Sequence, residues 1–162
     1  MTQQNAILPV EECGVSLSAE RIAVHMRIPA ESVYVGNAVM TLREICDHLD
    51  VGLVKANRIV LALEEALLNA MEHAYAEGGG VIDLQFSVEG PEFTVIVEDY
   101  GAGMLIERCF DPLADQNDDE ILSDRGRGLR ILHGVSDKAH FQSNKGHGTR
   151  ATMLFYLPGS DR

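Results

Sequence analysis

The chain has 162 residues, 46% of them hydrophobic, which is typical of one globular domain. Its 13 basic and 25 acidic residues give a net charge of −12, which argues against direct nucleic-acid binding because the chain would repel a phosphate backbone. The three cysteines, Cys13, Cys46 and Cys109, fit neither a disulfide framework nor the close pairs of a zinc site. Neither a secretory signal nor a membrane-spanning stretch is found, so we expect a soluble, cytoplasmic protein that does not bind membranes.

The first half of the chain predicts an arm, a strand and two helices. Residues 1–19 lack periodicity and are expected to form a loosely held arm. Apolar and polar residues alternate from Arg21 to Ile28, which predicts a strand ended by a proline. Helical spacing follows from Val33 to Leu49 and again from about Leu53 to Ala76, where three consecutive glycines end the second helix.

The second half predicts four strands and one short helix around an acidic segment. Strands over residues 81–88 and 93–99 form a hairpin, and two closing strands cover roughly 137–143 and 149–157. A short helix from about Gly128 to Gly134 precedes the closing strands. Between Gly101 and Arg127 no periodicity is found and acidic residues are frequent, which is typical of a lid or a disordered loop.

The second predicted helix carries a carboxylate and an amide on its polar side. At 100° per residue from Glu65, Asn69 lies about 40° away, Glu72 about 20° away on the other side and His73 about 80° away. Taken alone, such a pair more often belongs to an ordinary solvated helix face than to a site. The residues expected on the core side are Val60, Leu63, Leu67, Ala70, Met71 and Ala74.

Three glycine-bearing segments follow, and each is a weak signal by itself. Asp99 precedes Gly101 and Gly103, so a ligand could approach the backbone and the carboxylate could accept from an amine such as that of adenine; ordinary turns share this pattern. Residues 125–129 (Arg-Gly-Arg-Gly-Leu) open a helix, where free N–H groups and arginines favour phosphate, or the glycines form only a flexible joint. Residues 146–149 (Gly-His-Gly-Thr) lead into the last strand. They form either a plain turn or a turn that places the Thr149 hydroxyl near a bound adenine base.

The order of these four pieces is more specific than any one of them. Glu-x-x-x-Asn on a helix, Asp-x-Gly-x-Gly after a strand, Gly-x-Gly before a helix and Gly-x-Gly-Thr before a strand resemble the GHKL ATPase superfamily of histidine kinases, gyrase and the Hsp90 chaperones, over roughly residues 21–157. Residues 63–75 resemble the first motif of the anti-sigma-factor serine kinases of the RsbW type.

The resemblance implies a Bergerat-type ATP-binding fold. This fold is an α+β two-layer sandwich, in which about three helices cover one face of a mixed, mostly antiparallel sheet. The histidine kinase-like ATPase domain would span residues 20–158, between the arm and a short tail at 159–162.

The resemblance also implies roles for individual residues. Glu65 would act as general base, Asn69 would hold Mg²⁺, and Asp99 would bind the adenine amine of ATP. A lid from about Met104 to Arg127 would close over the phosphates. The other residues that the resemblance assigns to the nucleotide are His73, Gly101, Gly103, Met104, Arg125, Gly126, Arg127, Gly128, Leu129 and Thr149.

The activity implied by the resemblance is that of a serine/threonine protein kinase. It would phosphorylate a small anti-sigma-factor antagonist and regulate a sigma factor by partner switching, as a homodimer formed through the first strand and helix. Two alternatives remain open: a non-catalytic, nucleotide-gated binding module that docks a partner on the acidic lid, and a detached histidine-kinase ATPase domain. The sequence contains no P-loop, no Gly-x-Ser-x-Gly elbow and no His-Glu-x-x-His motif, which excludes those three enzyme classes.

Overall fold

The computed structural model describes residues 22–75, 79–103, 106–110, 127–144 and 146–157. Over these residues, three helices lie against a six-stranded sheet. The helices are α1 (Ser32–His48), α2 (Leu53–Asn69) and α3 (Arg127–Val135). The strands are β1 (Ile22–Pro29), β2 (Val81–Glu89), β3 (Glu92–Asp99), β4 (Ile106–Phe110), β5 (Lys138–Asn144) and β6 (Gly148–Tyr156).

The strands follow the order β1-β2-β3-β6-β5-β4 across the sheet. Each pairing between described strands is antiparallel, so the α+β two-layer prediction is confirmed but the expectation of a mixed sheet is wrong for this part of the chain. The antiparallel pairing of β3 with β6 arises because β6 begins beside the end of β3, where Glu98 pairs with Arg150. This arrangement places the end of β3 and the start of β6 at the same edge of the sheet.

The alternating pattern of β2 and β3 explains the core. In β3, Phe93, Val95 and Val97 are buried and point towards the helices, whereas the residues between them are partly exposed. In β2 the same face buries Ile82, Leu84, Phe86 and Val88, and Asp83 and Ser87 on the other face are buried as well. A two-residue turn at Gly90 and Pro91 joins the strands and pairs Glu89 with Glu92, as the hairpin prediction requires.

Helix α2 packs against the sheet and both other helices. On its predicted core side Val60, Leu63, Leu67 and Ala70 are buried, and Met71 and Ala74 are half-buried. The α-helix does not continue to Ala76 as predicted, because the chain widens into a π-helical turn at Ala70–Ala74. A π-helical turn bonds residue i to i+5. The 100° spacing used for Glu72 and His73 therefore does not hold beyond Asn69.

Strand β4 corrects the prediction that residues 101–127 lack regular structure. Residues Ile106–Phe110 pair with β5 at the edge of the sheet, from Ile106 opposite Ser143 to Phe110 opposite Ala139. Charged and apolar residues do not alternate cleanly here, so the strand depends on cross-strand pairing more than on its own pattern. Within the described residues, no helix has the length and apolar character needed to cross a bilayer.

Candidate functional site

Asp99, the last residue of β3, holds a carboxylate that faces two backbone donors. The residue is 5% exposed, and its Oδ1 accepts the N–H of Gly101 at 3.0 Å and that of Thr149 at 3.2 Å. Burial raises the pKa of Asp99, and the N–H groups of Gly101 and Thr149 act in the opposite direction. No described residue donates to the second oxygen, Oδ2. Oδ2 therefore keeps its capacity to accept a hydrogen bond from a further donor.

The loop after Asp99 and the turn before β6 form one unit. The N–H of Gly146 donates to the carbonyl oxygen of Ala102 at 2.6 Å, and Thr149 contributes the bond to Asp99 described above. Gly103 lies in the same loop with φ +60°. Two of the three glycine segments predicted from the sequence thus meet at one carboxylate.

Gly148 allows this close approach because it has no side chain. A Cβ on Gly148 would lie 2.8 Å from the Cα of Tyr100 and would collide with the carbonyl oxygen of Asp99. Its φ of +87° is also a backbone conformation that favours glycine. The start of β6 is therefore pressed directly against the end of β3.

We expect Gly148→Ala to lower the free energy of unfolding by about 3 kcal/mol, since the collision adds to the strain of positive φ. Gly146→Ala is the matched control: its φ is +81°, but no atom of the described residues lies within 4 Å of the added Cβ. The control should lose only about 1 kcal/mol. Urea unfolding of the two variants measures the difference, and equal losses would mean that contact with Asp99 is not what constrains Gly148.

The π-helical turn that follows α2 makes a second close contact with the Asp99 loop. A Cβ on Gly101 would collide with the backbone oxygen and Cβ of Ala74, the last residue of the π-helical turn. Glu65 and Asn69 are half-buried one turn apart at the end of α2. The Nδ2 atom of Asn69 is buried without a hydrogen-bond partner among the described residues. A buried donor without a partner needs a specific explanation, and a bound ligand is one such explanation.

One known domain family matches most of the part of the chain that forms these strands and helices. The family model described as the histidine kinase-like ATPase domain matches residues 28–155. The chain belongs to the histidine kinase-like ATPase domain family. The matched range contains Glu65, Asn69, Asp99 and Gly148, so the end of α2, the Asp99 loop and the turn before β6 all lie within the ATPase domain.

Curated relatives extend over most of the chain. An anti-sigma F factor of Clostridium acetobutylicum is 30% identical over 131 residues, which is 80% of this chain and 90% of the relative. A serine-protein kinase RsbW of Bacillus velezensis is 30% identical over 140 residues, and the RsbW of Bacillus subtilis is 27% identical over 140 residues. Each of these two alignments covers 84% of this chain and 86% of the relative.

Asn69 fits the magnesium role that the ATPase resemblance implies. Mg²⁺ prefers oxygen ligands and is usually bound by one or two protein groups together with substrate phosphates. The described residues contain no cluster of three His, Cys, Asp or Glu side chains that could hold a metal by themselves. The amide oxygen of Asn69 is a type of ligand that Mg²⁺ accepts together with phosphate oxygens.

Several predicted site residues are described only in part. Helix α3 begins at Arg127, so Gly128 and Leu129 lie in its first turn. The side chains of Arg127, Leu129 and His73 are not among those described. Met104, Arg125 and Gly126 lie outside the described residues, together with residues 111–126 of the predicted lid. The phosphate end of the ATPase site therefore stays a prediction.

The structure adds three site neighbours that the sequence reasoning did not select. Tyr100 follows Asp99 directly; its N–H donates to the Oη of Tyr75 at 2.7 Å, and its Oη contacts Asp83 at 2.5 Å. In the sequence, Asp83 is only one of several polar residues, with Gln85 and Ser87, that alternate with the apolar residues of β2. The role of Asp83 depends on how β1 pairs with β2. The sequence pattern of each strand does not specify that pairing.

Proposed function

We propose that this chain is an ATP-dependent serine/threonine protein kinase that phosphorylates a small anti-sigma-factor antagonist and regulates a sigma factor by partner switching. The observation that carries the proposal is the buried Asp99, with Oδ1 bound by two backbone N–H groups and Oδ2 without a donor among the described residues. Relatives named serine-protein kinase RsbW and anti-sigma F factor support the choice of a protein kinase over a passive nucleotide-gated module.

The site residues divide the work between binding and chemistry. Asp99 accepts the exocyclic amine of adenine, while Gly101 and Gly148 let Ala74 and the start of β6 pack directly against the loop that carries it. Asn69 would hold Mg²⁺, which supplies charge neutralisation on the phosphate oxygens. Residues at the start of α3 would approach the phosphates through free backbone N–H groups.

Glu65 takes the base role. It lies four residues before Asn69, about 6 Å along the helix axis. As the serine or threonine hydroxyl oxygen of the antagonist attacks the γ-phosphorus, its proton passes to the Glu65 carboxylate. The bond between the γ-phosphorus and the β–γ bridging oxygen breaks, and ADP leaves with the electron pair. The products are a phosphoserine or phosphothreonine and ADP.

Incubation with γ-labelled ATP and the antagonist encoded beside its gene tests the proposal. The expected result is an antagonist that carries acid-stable label, because phosphoserine and phosphothreonine resist acid. An unlabelled antagonist together with tight ATP binding would support the nucleotide-gated module instead. Acid-labile label would indicate transfer to histidine and a detached histidine-kinase domain.

We also infer a cytoplasmic homodimer, since sigma factors act there and β1 has a described strand partner only on its β2 side. Exposed apolar residues on α1 support this interface: Val33 is 68% exposed and Met40 is 67% exposed. Sedimentation at micromolar concentration should give twice the chain mass of 17.7 kDa. Met40→Asp should shift the population towards monomer, because it places a charge in an apolar contact. A wild-type chain that sediments only as a monomer would contradict the inference.

A further inference from the structure

A buried carboxylate lies on the sheet face opposite the described helices. Asp83 of β2 is 7% exposed, while its strand neighbours Ile82 and Leu84 point to the core on the other face. The strand register places Asp83 between Arg27 of β1 and Glu98 of β3. An anion at this depth needs charged or hydrogen-bonding partners.

Asp83 has three such partners. Arg27 donates from Nε to Oδ1 at 2.7 Å and from Nη2 to Oδ2 at 2.6 Å, which is a bidentate pair. The Oη of Tyr100 donates to Oδ2 at 2.5 Å, and His25 Nε2 lies 3.7 Å from Oδ1. The hydrogen bonds from Arg27 lower the pKa of Asp83 to about 2, with a smaller contribution from Tyr100 and an opposite one from burial. Asp83 is thus a stable anionic acceptor for Tyr100.

Tyr100 is held at its backbone as well as at its hydroxyl. Its N–H donates to the Oη of Tyr75 at 2.7 Å, and that hydroxyl donates onward to the carbonyl oxygen of Val81 at 2.7 Å. The guanidinium carbon of Arg27 lies 5.9 Å from the centre of the Tyr100 ring. Tyr100 is therefore tied to β1, to β2 and to the residue that follows the π-helical turn.

We propose that Tyr100 is a positioning residue for nucleotide binding, anchored at its hydroxyl by Asp83 and at its backbone by Tyr75. The inference rests on the proposed function, because it concerns the ATP site at Asp99. Tyr100 lies between Asp99 and Gly101, so its two anchors fix the backbone that aims the open oxygen of Asp99 at the base. The Arg27 pair makes β1 part of this support, although β1 itself does not reach the site.

If Tyr100 only positions the loop, its replacement should weaken nucleotide binding. If it took part in phosphoryl transfer, its replacement should lower the kcat. Tyr100→Phe removes the hydroxyl bond to Asp83 but keeps the ring, its contact with Arg27 and the backbone N–H. We expect the dissociation constant and the KM for MgATP to rise by up to about tenfold, because binding must then order the loop, and the energy of one hydrogen bond to a charged group limits that cost. The kcat should stay within about twofold, because no group that touches the phosphates changes.

Tyr156→Phe is the matched control. Tyr156 also has a cation near its ring, with the Nζ of Lys138 5.9 Å from the centroid, but it lies at the end of β6 away from Asp99. It should leave the KM, the kcat and the dissociation constant unchanged. Tyr75→Phe and Asp83→Asn remove the two anchors from their other ends, so they test the same idea if Tyr100→Phe does not fold.

The experiment combines calorimetric titration of MgATP, steady-state kinetics with the antagonist, and amide hydrogen exchange without nucleotide. Faster exchange of the Tyr100 and Gly101 amides in Tyr100→Phe, with a raised KM, is the expected result. A wild-type chain that binds no MgATP would refute the proposed function itself. Wild-type binding with an unchanged Tyr100→Phe variant, in both affinity and exchange, would refute only the positioning role. Equal losses in Tyr100→Phe and Tyr156→Phe would refute it too.

Discussion

Glu65→Gln is expected to slow phosphoryl transfer to the antagonist by about 100- to 10,000-fold, the usual contribution of a positioned general base. Glutamine keeps the size and polarity of the side chain but cannot take the proton of the attacking hydroxyl. The adenine contacts at Asp99 are made elsewhere in the chain, so the dissociation constant of MgATP should change less than about threefold. Single-turnover transfer of labelled phosphate and calorimetric titration measure the two quantities separately.

Glu64→Gln is the matched control for this loss. Glu64 is half-buried like Glu65 but points about 100° away around α2. It should transfer phosphate at close to the wild-type rate. Full activity of Glu65→Gln would show that Glu65 is not the general base. A similar loss of phosphoryl transfer in both variants would indicate a general effect of charge on this helix.

The sequence was sufficient to predict a strand or helix wherever the local pattern of apolar and polar residues indicates it. β2 alternates strictly between apolar residues such as Ile82 and Leu84 and polar ones, so its period follows from the chain alone, and β3 was predicted to end at Asp99, just before the glycines. The hairpin with β2 follows from the short turn at Gly90 and Pro91. The core side of α2 was predicted for the same reason, since residues such as Leu63 and Leu67 recur at helical spacing.

Features that depend on contacts between distant segments could not be predicted in this way. The π-helical turn at Ala70–Ala74 ends against Gly101, which no local pattern indicates. Strand β4 forms through its pairing with β5. The carboxylate of Asp83 has a visible role only once the register brings Arg27 beside it, because a shift of one residue would turn the two side chains to opposite faces.

The candidate site was predicted better than its support. The sequence selected Asp99, Gly101 and Thr149, and the structure joins them by two hydrogen bonds on one oxygen. It did not select Tyr100, because a tyrosine between an aspartate and a glycine carries no motif. The order of motifs can identify a binding loop, but the groups that hold the loop in place are set by tertiary contacts.

Asp99→Asn is expected to weaken MgATP binding by about 100-fold, which is the loss of one charged hydrogen bond together with a new unfavourable contact. Asparagine has a single acceptor oxygen. The N–H groups of Gly101 and Thr149 bind that oxygen, as they bind Oδ1 of Asp99. The amide NH₂ must then face the adenine amine, donor against donor. Calorimetric titration measures the loss, with Glu98→Gln on the opposite face of β3 as the control.

The same variant should be no less stable than the wild type without nucleotide. Burial raises the pKa of Asp99, which means that its ionised form costs stability at pH values above that pKa. A neutral amide removes this cost while it retains the two backbone bonds. We therefore expect an equal or higher Tm at neutral pH, and a large fall in Tm would mean that lost binding reflects unfolding.

The raised pKa of Asp99 also predicts how the MgATP affinity of the wild type, relative to that of Asp99→Asn, depends on pH. As the pH falls, Asp99 takes up its proton at a higher pH than an ordinary aspartate, so the wild type loses its charged acceptor while Asp99→Asn has none to lose. Titration of the nucleotide itself affects both proteins equally and cancels in the ratio. The wild-type advantage of about 100-fold should therefore shrink towards acid pH. A ratio that stays constant as the pH falls would mean that the Asp99 carboxylate does not accept the adenine amine.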